Sequence, residues 1–145
     1  MDKDLNKIHT LMRQLFGLVH RLEDEAIKAS EFSDLSRAEI SAIMAIGTGR
    51  PKTMTHVANI LEINVSTLTT TINKLVKKGY VERLRDDKDR RIVKIGLSEK
   101  GIAAATERDS FMGELLRGAV EQVEPDKLRY FISAIDNINQ YFMAK

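Results

Sequence analysis

Thr67, Thr69, Thr70 and Thr71 crowd one short stretch of an otherwise helix-compatible segment, and each threonine costs a helix roughly 0.5–0.7 kcal/mol relative to alanine. Between Asn64 and Lys78, steps of 100° place Leu68, Ile72, Leu75 and Val76 on one side. Ser66, Thr70, Asn73, Lys74 and Lys77 project from the other, with Thr67 and Thr69 on the flanks. Short hydroxyl and amide groups can reach base edges, and lysines behind them can reach phosphates, so this face suits a helix lying in a major groove. An ordinary solvated helix surface is the competing reading.

Charge is concentrated just downstream. Lys74, Lys77, Lys78, Arg83, Arg85, Lys88, Arg90, Arg91 and Lys94 face only Glu82, Asp86, Asp87 and Asp89 in the same stretch, while the rest of the chain is slightly acidic and the whole carries +2. A local phosphate-facing surface looks like this, although a solvated charged face would look similar. The run Asp86-Asp87-Lys88-Asp89-Arg90-Arg91 falls between two alternating apolar segments, Tyr80 to Arg85 and Ile92 to Leu97, and reads as a hairpin tip. Exposed arginines at such a tip can enter a narrow minor groove, and Asp89 can brace one of its two neighbours.

The elements that must position these groups follow from caps and periodicity. Leu5, Ile8, Met12, Leu15, Phe16, Val19 and Leu22 mark an amphipathic first helix through about Lys28. Ser36-Arg37-Ala38-Glu39 has the capping-box pattern, and its helix stops at Gly47-Thr48-Gly49, with Pro51 beyond. Thr53 caps a short helix carrying Val57, Ala58, Ile60 and Leu61; after a break at Glu62-Ile63, Asn64 caps the next, which ends at Gly79. Two helices so closely spaced fit a helix-turn-helix. Ser98 caps a long helix after the hairpin, and Glu124-Pro125 starts a last one bearing Leu128, Phe131, Ile132, Ile135, Ile138, Tyr141 and Phe142. The expected order is four helices, a hairpin and two helices: mainly α with a small β-hairpin wing.

Composition removes several classes of function. With 145 residues and no cysteine, the chain can form a core without disulfides and has no thiol for redox sensing or metal. No segment approaches the ~20 apolar residues of a membrane span, and the charged start lacks a signal-peptide pattern, so a cytoplasmic location is expected. His9, His20 and His56 are scattered, no nucleophile elbow or phosphate loop is present, and neither an enzyme nor a cofactor or metal site is expected.

The tip Asp86-Asp87-Lys88-Asp89-Arg90-Arg91, followed by Leu97-Ser98-Glu99-Lys100-Gly101, resembles the wing and following helix start of the MarR family of bacterial regulators, whose wing reads D-x-x-D-R-R before an L-[ST]-x-x-G stretch. Asn64-Val65-Ser66-Thr67-Leu68-Thr69 resembles the family's recognition-helix entry, and Thr53, Val57 and Ala58 fit its supporting helix. The resemblance implies a homodimer on double-stranded DNA. It further implies that residues 1–145 form one regulator domain, with 36–98 as the DNA-binding winged helix and 1–30 and 99–145 as dimerisation helices. It implies DNA contacts from Asn64, Ser66, Thr67, Thr69, Thr70, Asn73, Lys74, Lys77, Arg83, Arg85, Lys88, Arg90 and Arg91. Arg90 is the choice for the minor groove, Asp89 and Arg91 its scaffold, with the two arginines interchangeable in principle. Many relatives carry arginine where this chain has Thr70, so base preference does not transfer.

The run from Thr67 to Leu75, continuing through Lys78-Gly79-Tyr80-Val81-Glu82-Arg83, is similar to fatty-acid-synthesis repressors of Gram-positive bacteria. That likeness implies a small apolar or acyl effector, delivered free or on acyl carrier protein. Phe16, Val19, His20, Met44, Phe111 and Met112 are the candidate lining, although each also suits plain core. The alternative function is a winged-helix protein-interaction module that binds no specific DNA.

Overall fold

Ser36 does what its spacing from Glu39 predicts. In the computed structural model, which describes residues 1–145, its hydroxyl accepts the Glu39 amide at 3.2 Å. The Glu39 carboxylate accepts the Ser36 amide at 3.0 Å in return. This capping box opens α2 (Arg37–Ile46), which follows the long α1 (Asp2–Ala29). Thr53 caps α3 (Met54–Leu61) by accepting the His56 amide. Asn64 precedes α4 (Val65–Lys78) but does not cap it with its side chain: Thr67 Oγ1 donates to Asn64 Oδ1 at 3.3 Å and takes the acceptor that an N–H would have used.

α3 ends on Glu62, whose φ of 55° turns the chain left-handed before α4 begins. Gly79 ends α4 with φ 86°, a conformation that costs a glycine little. The hairpin is β2 (Val81–Arg85) against β3 (Val93–Leu97), with Arg83 opposite Ile95. One short element departs from expectation. Lys52 and Thr53 form β1, which pairs with β3 opposite Ile95 and Lys94, so the sheet has three strands in the order β1-β3-β2. Two residues are too few to show alternation, and Pro51 disguises the strand as loop.

The chain divides into two compact units, residues 1–107 and 108–145. The first holds the buried core: Ile43 and Ile46 of α2, Val57 of α3, Leu68, Ile72 and Leu75 of α4, Tyr80, and Ile95 of β3. Phe32 and Leu35, from the turn before α2, join it, and Phe32 meets the Tyr80 ring edge-on at 6.1 Å between centroids. At roughly 1.5–3 kcal/mol per large aliphatic side chain, this cluster dominates the stability of the unit. α1 contributes no buried residue, and Arg37 of α2 meets it through Asp24 at 2.8 Å. The second unit comprises the end of α5 (Glu99–Val120) and α6 (Pro125–Met143); α6 too has no buried residue.

At the start of α5, Ser98 Oγ accepts the Gly101 amide at 3.1 Å and donates to the Gly79 carbonyl at 2.5 Å. Gly101 packs directly on the end of α4: a Cβ there would lie 2.1 Å from the Tyr80 carbonyl oxygen. The Tyr80 backbone on one side and Leu97 Cβ on the other leave no flexible side-chain end to yield. We expect Gly101→Ala to destabilise the first unit by about 1–3 kcal/mol or more, a loss that urea unfolding would register as a lower midpoint at unchanged slope.

Candidate nucleic-acid interface

α4 lays its apolar side on the core and leaves its polar side open. Leu68, Ile72 and Leu75 are buried, while Ser66, Thr67, Thr70, Asn73, Lys74 and Lys77 are exposed and Thr69 is half-buried. Thr69 Oγ1 donates to the Val65 carbonyl at 2.8 Å and Thr70 Oγ1 to Ser66 at 3.4 Å. Their hydroxyl protons are turned back into the helix, so the outward lone pairs are left as acceptors. Asn73 Oδ1 accepts from Arg83 Nη2 of β2, the strand beside this helix.

The last lysine of α4 points the other way. Lys78 Nζ meets the Glu39 carboxylate at 2.8 Å and also donates to the Asp34 carbonyl. Glu39 is 4% exposed, the one buried charged side chain, so the pair ties α4 to the start of α2. Tyr80 donates its hydroxyl to Asp34 at 2.6 Å, and burial followed by that hydrogen bond raises its pKa far above the ordinary phenol range. Lys100 Nζ lies 4.3 Å from the Tyr80 ring centre and donates to the Lys78 carbonyl at 3.1 Å. None of these tethers was read from sequence. Only the capping box hinted at one, and it gave Glu39 a local role rather than a buried one.

The wing tip is organised by two aspartates. Asp86 Oδ2 accepts the amides of Lys88 and Asp89 at 3.1 and 3.0 Å, and Asp86 Oδ1 meets Lys94 Nζ at 2.8 Å. Asp89 takes the amide, Nε and Nη2 of Arg91 within 3.1 Å. Arg85 Nη1 donates to the Arg90 carbonyl at 2.8 Å. Arg91 is therefore the braced arginine, while the Arg90 and Lys88 side chains are exposed with no polar partner in the chain. Asp86, the first aspartate of the D-x-x-D-R-R pattern, belongs to the scaffold beside Asp89.

The effector candidates fall in both units. Phe16, Val19 and His20 lie on α1 and Met44 on α2 in the first, and Phe111 and Met112 on α5 in the second. Phe16 is exposed, and Met44 is half-buried against the core. An open groove along α1 is lined by Arg13, Gln14, Gly17, Leu18 and Arg21, a set that shares no residue with those candidates. No three His, Cys, Asp or Glu side chains converge as a metal site would require, and no helix is long and apolar enough to cross a membrane.

A supporting helix, a left-handed turn, a second helix with an open polar face and a hairpin closed by a third strand define a winged helix-turn-helix protein. A model of the MarR family matches residues 33–92. The regulator SarZ of Staphylococcus saprophyticus is 35% identical over 100 residues, covering 66% of this chain and 68% of SarZ. The chain belongs to the MarR family. The uncharacterised regulator YpoP of Bacillus subtilis is 32% identical over 94 residues, but the match spans only 64% of YpoP and 65% of this chain. Among solved structures, Streptococcus pneumoniae FabT in complex with DNA superposes with a TM-score of 0.90 at 26% identity, covering 96% of this chain and 97% of FabT.

The wing carboxylates set a pH limit on its order. The Lys94 hydrogen bond, then backbone amides, hold Asp86 below the usual carboxylate range, and Arg91 does the same for Asp89. Groups depressed in the folded state stabilise it above their unfolded values and lose that contribution as pH falls through the folded ones. The wing should thus stay ordered through mild acid and loosen only below the ordinary aspartate range. Amide chemical shifts of Lys88 and Arg91 followed against pH should show this, and Asp89→Asn should abolish the Arg91 transition alone.

Proposed function

We propose that the chain is a sequence-specific DNA-binding transcriptional regulator, a repressor that binds a pseudo-palindromic operator as a homodimer in the cytoplasm. The observation that carries this reading is the open polar face of α4 beside a wing whose Arg90 is unpaired. Two structured basic elements on one compact unit can engage adjacent grooves, α4 in the major groove and Arg90 in the minor groove. The superposition on FabT, which was crystallised with DNA, supports the same use of the fold. Ser66, Thr67, Thr69, Thr70 and Asn73 are the base-reading set, with Asn64 at the helix entry. Lys74, Lys77, Arg85 and Lys88 are the phosphate set, and Arg91 with Asp89 holds the tip.

A second copy is the proposed cover for the apolar sides of α1 and α6. Leu5, Leu15 and Phe16 on α1 are each more than half exposed, as are Ile132, Tyr141 and Phe142 on α6. Apolar surface on this scale marks an interface. Two-fold symmetry then demands two half-sites about one helical turn, roughly 10 base pairs, apart. Selection from a random DNA pool should enrich an inverted repeat with that spacing. Arg90→Ala should weaken binding to all sequences and flatten the dependence of log K on log salt by about one unit. Enrichment of a single asymmetric half-site would defeat the dimer reading, and salt-independent binding would favour a protein-interaction module.

The likeness of the α4 segment to fatty-acid-synthesis repressors supports a small apolar or acyl effector, free or presented by acyl carrier protein. An effector shifts DNA affinity only by binding the competent and incompetent forms differently. Titrations should therefore show a long-chain acyl compound changing operator affinity, with zinc and simple phenolic acids doing so less. A response to zinc or phenolics alone would end the acyl assignment and leave the regulator assignment standing.

A further inference from the structure

The hydrogen bond from Arg83 to Asn73 limits what α4 can read. A guanidinium carries donors only, so the amide atom of Asn73 facing Arg83 Nη2 is its oxygen. The amide atom left for another partner is then Nδ2, which carries two donors and no acceptor. An asparagine that reads adenine must do both, donating to N7 and accepting from N6. Here the accepting oxygen is engaged, and the positive charge beside it repels a second incoming N–H donor while favouring acceptors. The Asn73 amide thus presents donors alone, and guanine is the base whose major-groove edge offers two acceptors, N7 and O6, with no donor.

Resting on the groove reading of α4, we propose that Arg83 is a positioning residue that orients the Asn73 amide, and that the pair selects guanine where a free asparagine would select adenine. Arg83 sits on β2 rather than on the recognition helix, so one base preference is set jointly by the helix and by the strand leading into the wing. Both side chains are exposed, and substituting either leaves the core untouched.

Competition binding on the operator recovered by random-pool selection tests this, using the wild-type chain, Asn73→Ala, Arg83→Met, Arg83→Lys and the double variant Asn73→Ala/Arg83→Met. Wild type should prefer guanine over adenine by about tenfold at one base pair per half-site, and Asn73→Ala should erase that preference. Arg83→Met should shift it toward adenine by about tenfold. Arg83→Lys, which keeps the charge but not the planar fork, should hold overall affinity better than Arg83→Met while losing the guanine preference. In the Asn73→Ala background, Arg83→Met should change no base preference further. An adenine preference in wild type at the Asn73-dependent pair would overturn the proposal. So would an Arg83→Met effect equal on all sequences, or an Asn73→Ala variant with unaltered preferences. In each of those cases a recovered inverted repeat leaves the DNA-binding reading intact, whereas recovery of no specific sequence by wild type removes both.

Discussion

Two adjacent carbonyls, those of Gly79 and Tyr80, are the constraint on which the geometry of the winged unit depends. Ser98 grips both: its hydroxyl donates to Gly79 and its amide to Tyr80 at 3.0 Å. The same hydroxyl accepts the Gly101 amide and so starts α5. One serine thus satisfies the end of α4, closes β3 back onto it and nucleates the next helix. The absence of a side chain at Gly101 allows this approach, because any Cβ would meet the Tyr80 carbonyl. Orphan backbone groups at two helix ends are paired with each other's neighbourhood rather than with water. The exit direction of α4 is fixed as a result.

That fixed exit explains why three lysines on one helix have separate fates. Lys74 and Lys77 are exposed, but Lys78, one residue on, turns 100° further and reaches Glu39 and Asp34. The buried Glu39 carboxylate makes this contact more than a surface ion pair. A charge removed from water is tolerable only when paired and hydrogen-bonded, and Glu39 obtains both from Lys78 and the Ser36 amide. Exposed pairs such as Arg21–Glu25 contribute a few tenths of a kcal/mol at most. Position along α4 therefore depends on a few polar contacts at its C-terminal end, and rotation about its axis on Leu68, Ile72 and Leu75.

Local rules made much of this legible from residue order alone. The Ser36, Thr53 and Ser98 caps, the left-handed Gly79, the buried side of α4 and the hairpin each follow from chemistry within a few residues. What escaped reading is nonlocal or too short to carry a pattern. The Tyr80–Asp34 and Lys78–Glu39 contacts span 46 and 39 residues, and β1 has only two. Asn64 shows a local rule failing for a local reason, since Thr67 competes for its oxygen. In the wing, residue order lets Asp89 brace either neighbouring arginine, and its three hydrogen bonds go to Arg91.

Those bonds also divide the arginines by their entropic state. Arg91 is held by Asp89, Arg83 is engaged with Asn73, and Arg85 is tied to the Arg90 carbonyl, whereas Arg90 itself is unrestrained. A long side chain that must be immobilised on binding loses roughly 0.5–1.5 kcal/mol of rotamer freedom. In the proposed complex that cost falls mainly on Arg90, and the others enter already ordered by folding. The arrangement separates two tasks. In that complex, ordered side chains beside α4 would restrict which base edges fit, while the free arginine at a hydrogen-bonded tip would follow the variable width of a minor groove without disturbing them.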